Sequence, residues 1–317
     1  MECTSLMEGM FAALGWLLLA SIVSANEITE LRMPGAEPVL NDSYLCTSLP
    51  LDINTEHYLL GFKPFASMQK AHHMLLFGCD EPGSDEAIWS VLLPHNILSK
   101  TIFKTIFFSA ATITNRFCRD CGEMTNAGPS FERAPTCKNK PNILYAWGRD
   151  APELHLPDGV GFKVGGESDI KYLVLQVHYM KKLGPDYSGV AIESTIEPME
   201  KTASTLLMVT GGVLPPNKKE TFETACIVDE DVEMHPFALR PHTHRHGVSV
   251  ASRCVMVNKE NKAFAMGNTG EDEMCNYYMM YWVYGDKTLK DNTCYSPGAP
   301  EYHWATEAGL NNIPPAK

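Results

Sequence analysis

A chain of 317 residues, 44% hydrophobic and 20% charged, can bury a sizeable core in one or two domains and lacks the composition of a disordered or membrane-embedded protein. Its formal net charge of −12 speaks against a nucleic-acid-binding surface, which needs clustered Lys and Arg.

The first element is a leader. Phe11 to Ile22 is almost unbroken apolar sequence, and Val23-Ser24-Ala25 puts small residues where a signal peptidase reads. Residues 1–25 are therefore expected to be removed, with Asn26 opening the mature chain. Glu2 and Glu8 stand where positive charge is usual, which keeps an uncleaved anchor open as the alternative. No later segment has the length and apolarity to span a membrane. The expected destination is the cell exterior or a secretory-granule lumen, where cysteines pair. Ten cysteines are present and Cys3 lies in the leader, so nine remain, an odd number that leaves one thiol over. Asn41-Asp42-Ser43 is a glycosylation sequon with Asn41 as acceptor.

Beyond the leader, Gly, Pro, Asn and Asp punctuate short runs rich in Val, Ile, Tyr, Phe and Thr, which predicts an all-β fold of packed sandwiches. His72-His73 comes first among the suggestive residues. Neighbours in a regular strand face opposite ways, so both can hold one metal only where a strand bends or ends. Ser90 to Asp120 is rich in Ile, Phe, Thr and Leu, and Thr101 to Phe108 is an aggregation-prone run whose plainest explanation is a buried strand pair.

Lys171 to Tyr179 is the clearest strand, with Tyr172, Val174, Gln176 and His178 on one face and Leu173, Leu175, Val177 and Tyr179 on the other. His178 in that position is either a ligand or a hydrogen-bonded core histidine. Val232 to Arg240, Val248 to Val257 and Tyr277 to Tyr284 are further predicted strands. Between them, His242-Thr243-His244 puts two imidazoles on one face of an extended chain, with His246 continuing the alternation. Alone, such a pair is better explained as solvated or core. Most of the 16 methionines are core fillers, but Met274 stands against Cys275, whose expected disulfide would fix its backbone. Two histidines and a thioether make a soft, low-coordinate site suited to Cu(I).

Five strings occur in order: His72-His73-Met74-Leu75-Leu76-Phe77-Gly78-Cys79, Asn142-Ile143-Leu144-Tyr145-Ala146-Trp147, Leu175-Gln176-Val177-His178-Tyr179, His242-Thr243-His244 and Asp272-Glu273-Met274-Cys275-Asn276. Together they resemble the peptidylglycine alpha-hydroxylating monooxygenases of the copper type II, ascorbate-dependent family, from about Leu31 to near the C-terminus. The resemblance implies two antiparallel β-sandwich domains facing across a cleft, here residues 26–196 and 197–317. It implies two copper ions: one held by His72, His73 and His178, which relays electrons, and one held by His242, His244 and Met274, which meets dioxygen and substrate. Arg240, Asn276 and Tyr278 match the set that anchors the peptide's terminal carboxylate, with Tyr278 also beside the catalytic His242, His244 and Met274. A planar guanidinium suits that task because it grips a carboxylate in two hydrogen bonds.

The implied reaction uses ascorbate and O2 to hydroxylate the α-carbon of a C-terminal glycine in a peptide or prohormone. A separate lyase is expected to complete amidation, because 317 residues leave no room for the lyase domain of bifunctional relatives. Implied disulfides are Cys46–Cys121, Cys79–Cys137, Cys226–Cys294 and Cys254–Cys275. A further family disulfide is missing at both ends, with Tyr187 at one of them. Two departures stand out. Ser90 to Asp120 is extra and holds the odd thiol, Cys118, and the stretch between His244 and Cys254 is shortened. A retained intron explains the extra segment better than a buried strand pair, so it is expected to be a dispensable, low-contact excursion. Two alternatives remain: a dopamine β-monooxygenase-like hydroxylase, which would not place Arg240 and Asn276 where they are, and a secreted copper-binding protein without catalysis.

Overall fold

Period-two alternation is realised wherever the chain is regular: in the computed structural model, which describes residues 26–39, 41–89, 121, 135–228, 230–238, 249–267 and 272–298, every regular element is a strand. The N-terminal half holds β1 (Glu27–Arg32), β2 (Ser43–Pro50), β3 (Glu56–Phe65), β4 (His73–Cys79), β5 (Asn142–Gly148), β6 (Leu154–His155), β7 (Val160–Gly165), β8 (Tyr172–Tyr179) and β9 (Gly189–Thr195). The C-terminal half holds β10 (Lys201–Thr210), β11 (Val213–Leu214), β12 (Lys219–Ile227), β13 (His235–Pro236), β14 (Ser249–Val257), β15 (Phe264–Ala265), β16 (Asn276–Tyr284) and β17 (Thr293–Ser296). No helix among the described residues is long and apolar enough to cross a membrane.

A four-stranded sheet, β2-β8-β4-β5, packs its inner face on β1-β9-β3-β7 of a larger sheet. Leu173, Leu175, Val177 and Tyr179 all enter that core, with Met74, Leu76, Phe62 and Phe162. Burying each such side chain contributes on the order of 1.5–3 kcal/mol. The opposite residues of the four-stranded sheet, among them Tyr44, Cys46, Leu75, Phe77 and Val174, meet a second cluster that includes Leu207 and Val209 of β10. The larger sheet runs on through β10-β16-β13, and β7 meets β10 in a parallel pairing of Val160 with Lys201 and Gly161 with Thr202. The expected boundary near residue 196 falls in the β9–β10 connection.

Of the expected strand Val232 to Arg240, the described residues 232–238 form only β13, which lies at the sheet's end against Tyr281 and Trp282. Pro236 has no N–H to donate, which limits such a segment to an edge. Cys46–Cys121, Cys79–Cys137, Cys226–Cys294 and Cys254–Cys275 are bonded, the pairings that the resemblance implied.

Ser90 to Asp120, with Cys118 and the run Thr101 to Phe108, lies outside the described residues, but its two flanks do not. Trp89 exchanges backbone hydrogen bonds of 3.0 and 3.1 Å with Cys46, and Cys121 donates its N–H to the Tyr44 carbonyl at 3.0 Å. Both flanks sit on β2, two residues apart, or about 7 Å. One linking residue covers that span. Deleting Ser90 to Asp120 and joining the flanks through one or two polar residues is expected to leave the fold intact and to raise stability by up to about 2 kcal/mol, since the shorter loop passes through about four halvings of length at about 0.6 kcal/mol each. A deletion protein that fails to fold where the full chain folds would show that the segment belongs to the core.

Tyr179 supplies a second check on the core. Its hydroxyl donates to Asp186 Oδ2 at 2.8 Å, and both residues are buried. Burial, with the Asp186 charge beside it, raises the phenol above its ordinary pKa. Hydrogen bonds to charged groups contribute about 1.5–3 kcal/mol. Tyr179→Phe is expected to lose that much in denaturant unfolding, and an unchanged midpoint would contradict it.

Candidate metal centre

Register sets three rings in a row. Tyr44 of β2 and His73 of β4 both lie directly opposite His178 of β8. Directly opposed residues of an antiparallel sheet share a face, and here it is the face away from the Leu173–Tyr179 core. The Tyr44 ring stacks on the His178 imidazole, with centroids 4.0 Å apart and planes 6° from parallel. His178 is 2% exposed.

His72 resolves the problem of adjacency. β4 begins at His73 and His72 occupies a bend, where its N–H donates to the His178 carbonyl at 2.8 Å. The bend brings its ring to the same side, which an unbroken strand would forbid. His72 Nδ1 comes to lie 3.3 Å from His178 Nδ1 and 3.2 Å from His73 Nδ1. The three ligand atoms lie within 4.8 Å of one another, the one group of this kind among the described residues.

Hydrogen bonding alone does not account for this convergence. A neutral imidazole Nδ1 either donates one proton or offers one lone pair, so His72 cannot satisfy both close neighbours. A metal does. An ion about 2.0–2.1 Å from each of two imidazole nitrogens separates them by about 3.3 Å in a tetrahedral arrangement. Burial, helped by His178 and His72, pushes the His73 pKa down to about 3. Burial also lowers that of His178, against the pull of Asp42. Neutral rings with free lone pairs are the form that ligation requires.

Sequence reading missed two contacts here, Tyr44 and Asp42. His178 Nε2 lies 2.5 Å from Asp42 Oδ1, across 136 positions of sequence. Asp42 itself stands in the left-handed region at φ 60°, immediately before β2. No local pattern marks such a pair, because it forms only once β2 and β8 are in register.

The second expected ligand set is described in part. Met274 is 40% exposed, beside the buried Cys275 that is bonded to Cys254. Asn276 and Tyr278 open β16 and share a face with Met280, which enters the core of the first sandwich. Tyr278 packs against the cluster that holds Cys46, Cys79 and Trp89. Arg240, His242, His244 and His246 lie outside the described residues. His235 is spoken for by packing, stacked on Trp282 at 3.8 Å. A cavity of about 290 Å3, lined by Asn142, Thr205 and Asn292 among others, sits at the Asn142 end of β5. Gly148, at the other end of that strand, is the residue opposite His73.

Comparison with known families gives two matches. The N-terminal domain of the copper type II ascorbate-dependent monooxygenases matches residues 99–184, and the C-terminal domain matches residues 201–253 and 246–307. Residues 246–253 are thus matched twice, and His72 and His73 precede the first match. The chain is 32% identical over 325 residues to peptidyl-glycine alpha-amidating monooxygenase A of Xenopus laevis, covering 88% of this chain and 30% of that protein. It is 32% identical over 334 residues to peptidylglycine alpha-amidating monooxygenase of Rattus norvegicus, covering 91% and 30%. The chain therefore spans about 30% of the length of these relatives.

Proposed function

The chain belongs to the copper type II, ascorbate-dependent monooxygenase family, and on that premise we propose that it hydroxylates the α-carbon of a C-terminal glycine in peptides, the first step of amidation. The convergence of His72, His73 and His178 on one point carries the reading. Their nitrogens would hold one copper, and His242, His244 and Met274 the other. Copper held there supplies one-electron chemistry, with ascorbate as reductant and O2 as co-substrate. One oxygen atom enters the glycine α-carbon and the other leaves as water. Arg240 would fork onto the substrate carboxylate, with the Asn276 amide and the Tyr278 hydroxyl as further donors. The product, a peptidyl-2-hydroxyglycine, is the substrate of a lyase. Four disulfides and the exposed Asn41 of the sequon favour folding in the secretory pathway.

The test is incubation with copper, ascorbate and a glycine-extended peptide, read by mass spectrometry for the addition of one oxygen. Copper uptake without product would instead support a copper-binding protein, a reading favoured by the short interval between His244 and Cys254. Met274→Ala is expected to remove turnover and one copper; full activity would sink the second ligand set. Arg240→Ala is expected to raise KM roughly ten- to a hundredfold, the worth of a charge-assisted bidentate contact. If C-terminally methylated peptides compete as well as free acids, Arg240 is not the anchor.

A further inference from the structure

We propose that Asp42 is the positioning residue of the three-histidine centre, its carboxylate holding the His178 ring so that Nε2 carries the proton and Nδ1 faces the metal. The proposal rests on the three-histidine reading above, and the geometry divides the two ring nitrogens between two tasks. Nε2 lies 2.5 Å from Asp42 Oδ1, while Nδ1 lies 3.3 Å from His72 Nδ1, in the convergence. An ionised carboxylate only accepts, so the contact to Nε2 requires the proton there and leaves the Nδ1 lone pair for the ion. Ligating imidazoles are commonly oriented in this way through the nitrogen that does not bind metal.

Three features show that the contact is built into the fold. Ser43 pairs with Tyr179 and Tyr44 with His178, so β2 delivers Asp42 to the ring's edge through register. Tyr44 covers the ring face, which removes the freedom to flip about the plane. Asp42 holds a left-handed backbone, a conformation that costs a non-glycine residue energy and persists where surrounding structure imposes it. Asp and Asn tolerate that region better than other side chains. Asp42→Asn therefore keeps the backbone and an acceptor oxygen, and Asp42→Ala keeps neither.

The test measures His178 tautomer and copper affinity in the full chain. In metal-free wild type, nitrogen-15 NMR is expected to show an Nε2-bound proton on His178 protected from exchange with water. That protection should vanish in Asp42→Ala. Cu(I) affinity by chelator competition is expected to fall 10–100-fold in Asp42→Ala, the range for losing a ligand's orienting partner. Asp42→Asn should restore most of it while raising the copper reduction potential, because the lost negative charge favoured Cu(II). A proton on Nδ1 in wild type, or unchanged Cu(I) affinity in Asp42→Ala, would overturn the proposal. If Asp42→Ala does not fold, wild type and Asp42→Asn still decide: affinity lost in Asp42→Asn with the potential unmoved counts against it. Absence of copper binding in wild type would strike the metal reading instead, and the tautomer measurement, made without metal, would still judge Asp42.

Discussion

Replacing His178 with alanine is expected to remove one copper per molecule and to cut turnover of a glycine-extended peptide by more than about a hundredfold, the upper end of what loss of a mere orienting partner costs. The size follows from position. His178 lies at the centre of the row, opposite both Tyr44 and His73, so its loss removes one ligand and the surface that aligns the others. The fold should survive, because the ring faces away from the Leu173–Tyr179 core. Copper counted by atomic absorption, with circular dichroism as the folding control, checks both halves. A His178→Ala protein that keeps full copper content and activity would remove the three-histidine centre from the mechanism.

The second large effect is expected from breaking Cys79–Cys137 by a double change to serine. The bridge closes a loop of 58 residues, for which the chain-entropy estimate is about 4 kcal/mol. That is a large part of the roughly 5–15 kcal/mol that holds a domain folded. Both sulfurs are buried in the cluster with Phe77, Trp89 and Val174, so polar hydroxyls there add a desolvation penalty. Thermal unfolding should show a marked drop, and copper binding at His72 and His73 should weaken with it, because Cys79 ends the strand that His73 begins. A loss below about 1 kcal/mol would mean that the bridge constrains the unfolded chain far less than its span implies.

What the sequence made legible follows physical range. The two faces of β8 could be read from Lys171 to Tyr179 because alternation is local and every inward residue is apolar. Val232 to Arg240 carries apolar residues too, but a proline and an edge position confine the pairing of its described part to His235, Pro236 and the N–H of Phe237. The disulfides and the grouping of His72, His73 and His178 came from the resemblance carried by ordered motifs, since neither spacing nor propensity chooses among pairings. His72-His73 was ambiguous because a bend at one residue decides whether neighbours converge. Asp42 and Tyr44 were out of reach, being set by the pairing of β2 with β8.

The row of Tyr44, His178 and His73 also makes the metal centre a proofreader of strand alignment. A slip of β8 by one residue would turn His178 into the apolar core and present Tyr179 to its partners instead, because alternate residues exchange faces. No slipped arrangement brings the three Nδ1 atoms together. An ion that binds them stabilises the native alignment alone, by RT ln(1 + [L]/Kd), or about 2.7 kcal/mol at a hundred times Kd. Refolding with metal present should therefore raise the yield of correctly aligned chain, not merely load it.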